Sequence, residues 1–224
     1  MAMHKNRLLF RKSGRAVYIS HLDLMATFQR AFLRSGVEVW HTEGFNRHVY
    51  VSIALPLSVG YSSDCEILEF NLEDATPLAR VPERLNAVLP EGIEVLRCYE
   101  AKIPLKKIVD LGWEVTLEYD NGVPEGVAGA FRAFLGQESC VIRKPSKKAK
   151  RGYTELDLIP MVKEWTLEEG ANTLVLRARI AAQNPGLNPS LILDTFGEAK
   201  PEFRPDFARF HRREVYGEFG EVFR

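Results

Sequence analysis

The chain has 224 residues, 46% of them hydrophobic and 27% charged, with equal numbers of basic and acidic residues. That balance suits a globular body with an apolar core, and a neutral net charge singles out no class of partner. No stretch reaches the roughly 20 apolar residues of a membrane span, and the opening residues 1–7 lack the apolar core of a secretory signal, so a cytoplasmic protein with no membrane partner is expected.

Residues 7–19 alternate apolar and polar and break at Ser13-Gly14, which predicts one strand or two short ones. Ser20 then opens a helix, with Asp23 at capping-box spacing. Leu22, Met25, Phe28, Phe32 and Leu33 form the expected apolar arc, and Gly36 the expected stop. Residues 48–57 are strongly β-prone, and residues 64–72 alternate again. A helix is expected from Thr76-Pro77 or from Pro82, ending by Leu89-Pro90, with a strand over 92–99. The order β-α-β-β-α-β is that of a split βαβ, or ferredoxin-like, unit over residues 1–102.

A second unit, 103–224, is expected to be less regular. Residues 112–119 read as a strand, and Val127, Phe131, Phe134 and Leu135 as a helical stripe. Residues 138–143 read as another strand, and 163–168 with 172–181 as a hairpin around Glu169-Gly170. A short helix capped by Asn188 follows, with Pro189 at its first position. The fold class expected is therefore α+β, built as two tandem ferredoxin-like units.

The three cysteines, Cys65, Cys98 and Cys140, are far apart and form no C-x-x-C pair. They argue against a disulfide framework and against a zinc or iron–sulfur site, and read as small buried apolar residues. His21, Asp23, His41, Glu43 and His48 are metal ligands by type only, because their spacing fits no ligand template. No metal and no cofactor is expected. A Ser-His-Asp triad lacks any nucleophile-elbow marker.

Two polar constellations stand out. In Ser20-His21-Leu22-Asp23, Ser20 and Asp23 read as a helix cap. His21 sits where a helix N-terminus attracts anions, and Lys12 and Arg15 precede it, so a phosphate near Lys12, Arg15 and His21 is the local hypothesis. In Gly44-Phe45-Asn46-Arg47-His48, one reading is a tight turn anchored in the core by Phe45. The other is a surface where Asn46, Arg47 and His48 contact phosphate and stack on a base. A third feature is the run RKPSKKAKR over 143–151, six cations without an acid. It is either a solvated loop or a phosphate-contacting one, the latter through Lys144, Lys147, Lys148, Lys150 and Arg151.

The segments YISHLDLM, FQRAFLRSG, EGFN-x-H, ALPLSVG, RLNAVLPEGIEV, KPSKKAKRGYTELDL and LNPSLIL together resemble the radical SAM-associated protein family. These are domains of unknown function found alone or fused C-terminal to cobalamin-binding radical SAM proteins. This chain carries Arg47 and Tyr50 where the family usually has Pro and Lys, so Arg47 would have to supply the cation. It lacks the C-x-x-x-C-x-x-C motif of the radical SAM domain itself.

The resemblance implies an accessory role in RNA or ribosome-related modification, with RNA and a separate radical SAM protein as partners. Two other readings stand beside it. One is a metal-independent endoribonuclease with His21 or His48 as the acid–base group. The other is a protein-interaction module for the radical SAM partner.

Overall fold

The computed structural model describes residues 5–73, 76–145 and 152–224, leaving aside the side chains of 144 and 145. The chain is α+β and divides into two compact units: residues 1–107 with 211–214 and 222–224, and residues 108–210 with 215–221.

In the first unit, β1 (Lys5–Lys12), β2 (Ser52–Ala54), β3 (Ser62–Asn71) and β4 (Ile93–Glu100) pair in the order β4-β1-β3-β2 with every neighbour antiparallel. Helices α1 (His21–Ser35) and α2 (Val81–Asn86) complete the expected element order. The expected β-run over 48–57 shrinks to β2 plus a lone bridge from His41 to Val49. Residues 14–18 form a 3-10 turn where a second short strand was an alternative.

The cap is built as the sequence indicates. Ser20 Oγ accepts from the Asp23 backbone N–H at 3.2 Å and donates to Asp23 Oδ2 at 2.7 Å. Gly36 ends α1 in left-handed backbone at φ 67°, which costs glycine nothing. The buried arc is Leu24, Phe28, Ala31 and Phe32, while Leu22 and Leu33 face solvent. The arc is thus turned from the expected one. Its i, i+4, i+7, i+8 spacing is just as regular, and the small Ala31 lets α1 lie close to its neighbours. Leu8, Phe10, Leu68 and Phe70 from β1 and β3 meet this arc, with Phe10 against Phe28 at 4.8 Å and Phe32 against Phe70 at 4.9 Å.

In the second unit, β5 (Asp110–Glu118), β9 (Thr173–Ala181) and β8 (Val162–Glu169) form antiparallel pairs, and β6 (Val141–Pro145) pairs with β7 (Tyr153–Asp157) as a separate hairpin. Helices α3 (Val127–Leu135) and α4 (Ser190–Ala199) pack Phe131 on Phe196 at 4.5 Å. Helix α4 starts at Ser190, one residue later than expected, with Pro189 at the cap position, while the Asn188 side chain accepts from the Ser190 N–H at 3.0 Å. With β10 (Phe207–Tyr216) closing the chain, and the separate β6–β7 hairpin set aside, the elements β5, α3, β8, β9, α4 and β10 run in the same β-α-β-β-α-β order as those of the first unit.

The strand β10 (Phe207–Tyr216) gives residues 211–214 to the first unit, where His211 and Arg212 pair in parallel with Ser62 and Ser63 of β3. Among the described residues, no helix is long and apolar enough to cross a membrane.

Candidate functional site

The residues singled out by the sequence fall into three settings. The first is a hairpin-like loop between α1 and β2. The Thr42 N–H donates to the His48 carbonyl at 2.8 Å and the Tyr50 N–H to the Trp40 carbonyl at 3.0 Å. Trp40 and Tyr50 pack edge-on at 5.6 Å, and Gln29 of α1 donates to the Val49 carbonyl at 3.0 Å.

At the tip, His48 Nδ1 lies 2.8 Å from the Asn46 carbonyl and 3.1 Å from Thr42 Oγ1. The carbonyl can only accept, so Nδ1 carries the proton and Nε2 is left for other contacts. Asn46, Arg47 and His48 are all exposed, beside the acid Glu43. Phe45 does not anchor the turn in the core: its relative exposure is 113%. The tip is held by backbone and imidazole bonds instead, which frees the aromatic ring.

The second setting is the start of α1. Arg15 is exposed on the 3-10 turn, and His21 is half-buried at the first helical position. Lys12 does not stand on that surface. It is 1% exposed, and its ammonium donates to the carbonyls of Val17 at 3.2 Å and Ile19 at 3.1 Å. A shift in pairing between Phe10 and Lys12 on β1 re-aims its side chain. Burial pulls the Lys12 ammonium below the usual lysine range, with Glu66 pulling the other way. Lys12 therefore braces the turn carrying Arg15 rather than meeting a ligand.

The third setting is the basic run. Lys147, Lys148, Lys150, Arg151 and the Lys144 side chain lie outside the described residues. Arg143, at the foot of the run, sits over the Tyr153 ring at 4.8 Å and 3.6 Å from Glu155. In the same unit, a groove of about 1060 Å³ is lined by Val141, Arg143, Leu191, Asp194, Phe207 and Phe210 among others.

A further cluster in the first unit escaped the sequence reading. His211 Nδ1 lies 2.8 Å from Ser62 Oγ, and its Nε2 lies 2.8 Å from Asp64 Oδ2. Arg11 Nε donates to Asp64 Oδ1 at 2.9 Å, and Arg11 Nη1 to Glu94 at 3.1 Å. Burial works to raise the Asp64 pKa, but the His211 and Arg11 contacts outweigh it and hold the carboxyl below its ordinary value. Next to it, Arg212 Nη1 pairs with the fully buried Glu66 at 2.8 Å and donates to the Leu55 carbonyl at 2.9 Å.

The available signal was SSDCE at 62–66, five residues with little apolar character opening a strand, together with His211 in a tail of alternating charge. No local pattern joins residues 149 positions apart. Among the described residues, no three His, Cys, Asp or Glu side chains are grouped to hold a metal.

The model of the family described as "Uncharacterized protein conserved in bacteria (DUF2344)" matches residues 5–189. The chain belongs to this family. It is the family to which the motifs around Ser20–Asp23 and Gly44–His48 point. The chain finds no match among curated proteins.

Among solved structures, a chain of a Cbf5-Nop10-Gar1 complex is similar at 14% identity and TM-score 0.51, over 94% of this chain and 48% of that one. A chain of the archaeal box H/ACA sRNP Nop10-Cbf5 complex matches at 14% identity and TM-score 0.44, over 92% and 46%. An unknown protein from Galdieria sulphuraria matches at 14% identity and TM-score 0.29, over 94% and 98%. This chain spans about half the length of the first two chains, and the likeness to the first is one of fold.

Proposed function

We propose that this family member is an RNA-binding accessory protein that acts beside a separate radical SAM enzyme in RNA or ribosome-related modification. The observation that carries the reading is the tip of the 41–49 loop. A fully exposed Phe45 flanked by exposed Asn46, Arg47 and His48 is costly to keep in water and has no packing duty. An exposed ring beside an arginine is what stacking on an unpaired base requires, with the arginine and imidazole reaching phosphate.

Arg15 and His21 extend the proposed surface, and Lys12 supports it from beneath. The cations Lys144, Lys147, Lys148, Lys150 and Arg151 form the second proposed contact. The radical SAM partner rests on the family resemblance. In architecture, the β4-β1-β3-β2 order supports a ferredoxin-like plan for the first unit, and the second unit is proposed as a less regular relative of it.

The test is filter binding of a labelled mixed-sequence single-stranded RNA across a salt series. The wild type should bind at low salt with a steep inverse salt dependence. Phe45→Ala should weaken binding by about 1–3 kcal/mol, the usual worth of one stacked base. Arg47→Ala should lower the salt slope by about one phosphate contact. Failure of the folded wild type to retain RNA at low salt overturns the reading.

A further inference from the structure

The cluster around His211 holds the side chains of Ser62, His211 and Asp64 in one hydrogen-bonded line. Asp64 is an ionised carboxylate, fixed by Arg11 at 2.9 Å, and it only accepts hydrogen bonds. His211 Nε2, 2.8 Å away, must therefore carry a proton. In the neutral ring Nδ1 is then bare, and the contact of 2.8 Å to Ser62 Oγ is one in which the serine hydroxyl donates. In that neutral state the serine proton points at a base that a carboxylate orients.

Register explains how the three meet. His211 stands opposite Ser62 in the parallel pairing of β10 with β3, and Asp64 lies two residues along the same strand. The group is not sealed: the His211 and Asp64 side chains are 23% and 33% exposed. The neighbouring Cys65, by contrast, is buried, with its thiol pushed up to about 12 by burial and is inert. Ser62 is half-buried and is the nucleophile type here with an activating partner.

We infer that Ser62, activated by His211 and Asp64, is a nucleophile toward activated acyl esters, an activity independent of the RNA surface proposed above. In the step, Ser62 Oγ attacks the ester carbonyl carbon and its proton passes to His211 Nδ1. The bond from carbon to the leaving oxygen breaks as that oxygen departs, taking the proton from the ring when it needs one. Asp64 steadies the charged imidazolium between the two transfers, and water later releases the acyl group by the same route.

The test uses the full chain with p-nitrophenyl acetate and a fluorophosphonate probe, followed by mass spectrometry of the Ser62 peptide. Wild type should give a burst of nitrophenolate and one adduct per chain, on Ser62. His211→Ala should slow adduct formation by about 100-fold or more. Asp64→Asn should also slow it, because an amide can donate to Nε2 and so favours the opposite tautomer. Ser62→Cys should be alkylated by iodoacetamide faster in the His211 background than with His211→Ala. Circular dichroism confirms that each variant is folded. A folded wild type that forms no Ser62 adduct at saturating probe, or one whose adduct rate is unchanged by His211→Ala, overturns the inference. RNA retention in the filter assay is a separate readout, so either proposal can fail alone.

Discussion

Arg212 Nη1 lies 2.8 Å from Glu66 Oε1, with the two side chains 5% and 0% exposed. A charge removed from water this completely is tolerable only while its partner is present. Arg212→Ala or Glu66→Ala should therefore cost about 3–5 kcal/mol by leaving an unpaired buried charge. Arg177 pairs with Glu114 and Glu168 while 45% exposed. Arg177→Ala should cost no more than about 1 kcal/mol. Urea denaturation of the three variants checks the contrast.

Lys12 makes stability depend on pH in an uncommon direction. Burial lowers its pKa from the ordinary 10.5. Between the lowered value and 10.5 the unfolded chain binds a proton that the native chain does not, so this residue's contribution to stability rises with pH across that window. Lys12→Met removes the effect and also leaves the Val17 and Ile19 carbonyls without their donor. Thermal melts of wild type and Lys12→Met at several alkaline pH values should converge as pH falls below the window only in slope, the variant remaining less stable throughout.

The helix cap is separable from any ligand. Ser20→Ala removes the acceptor for the Asp23 N–H and the donor to its carboxylate. The loss should be about 1 kcal/mol. Ser20→Asn should restore most of it, as read by urea midpoints.

Thiol reactivity should follow burial. Cys65 and Cys98 are buried and pushed up to about 12 by that burial. Cys140 is half-buried and raised by burial and by Asp157. With Ellman's reagent at pH 8, native protein should react slowly and at Cys140 first, and the other two should react only after denaturation.

Much of the first unit was legible because its signals are local. The Ser20 and Asp23 cap, the Gly36 stop and the alternation of β3 each act within a turn or a strand of chain. The α1 stripe shows the limit of that legibility. Its period was readable, but whether Leu22 or Leu24 faces inward depends on how the helix docks on Leu8, Phe10 and Leu68. The apolar length of 48–57 promised a longer strand than forms, because pairing partners on β3 extend only from Ile67 to Glu69.

By itself, the sequence determined the element order of the first unit, the capped helix, the family and the 44–48 segment as a place of unusual polarity. Those properties are written in neighbouring residues, where propensity, periodicity and motif spacing act. Only the tertiary structure decided that Phe45 points to solvent, that Lys12 is buried on two carbonyls, and that His211 joins Ser62 and Asp64. Each of these turns on strand register and on the position of a pairing shift, which bring distant residues within hydrogen-bond reach without leaving a local trace.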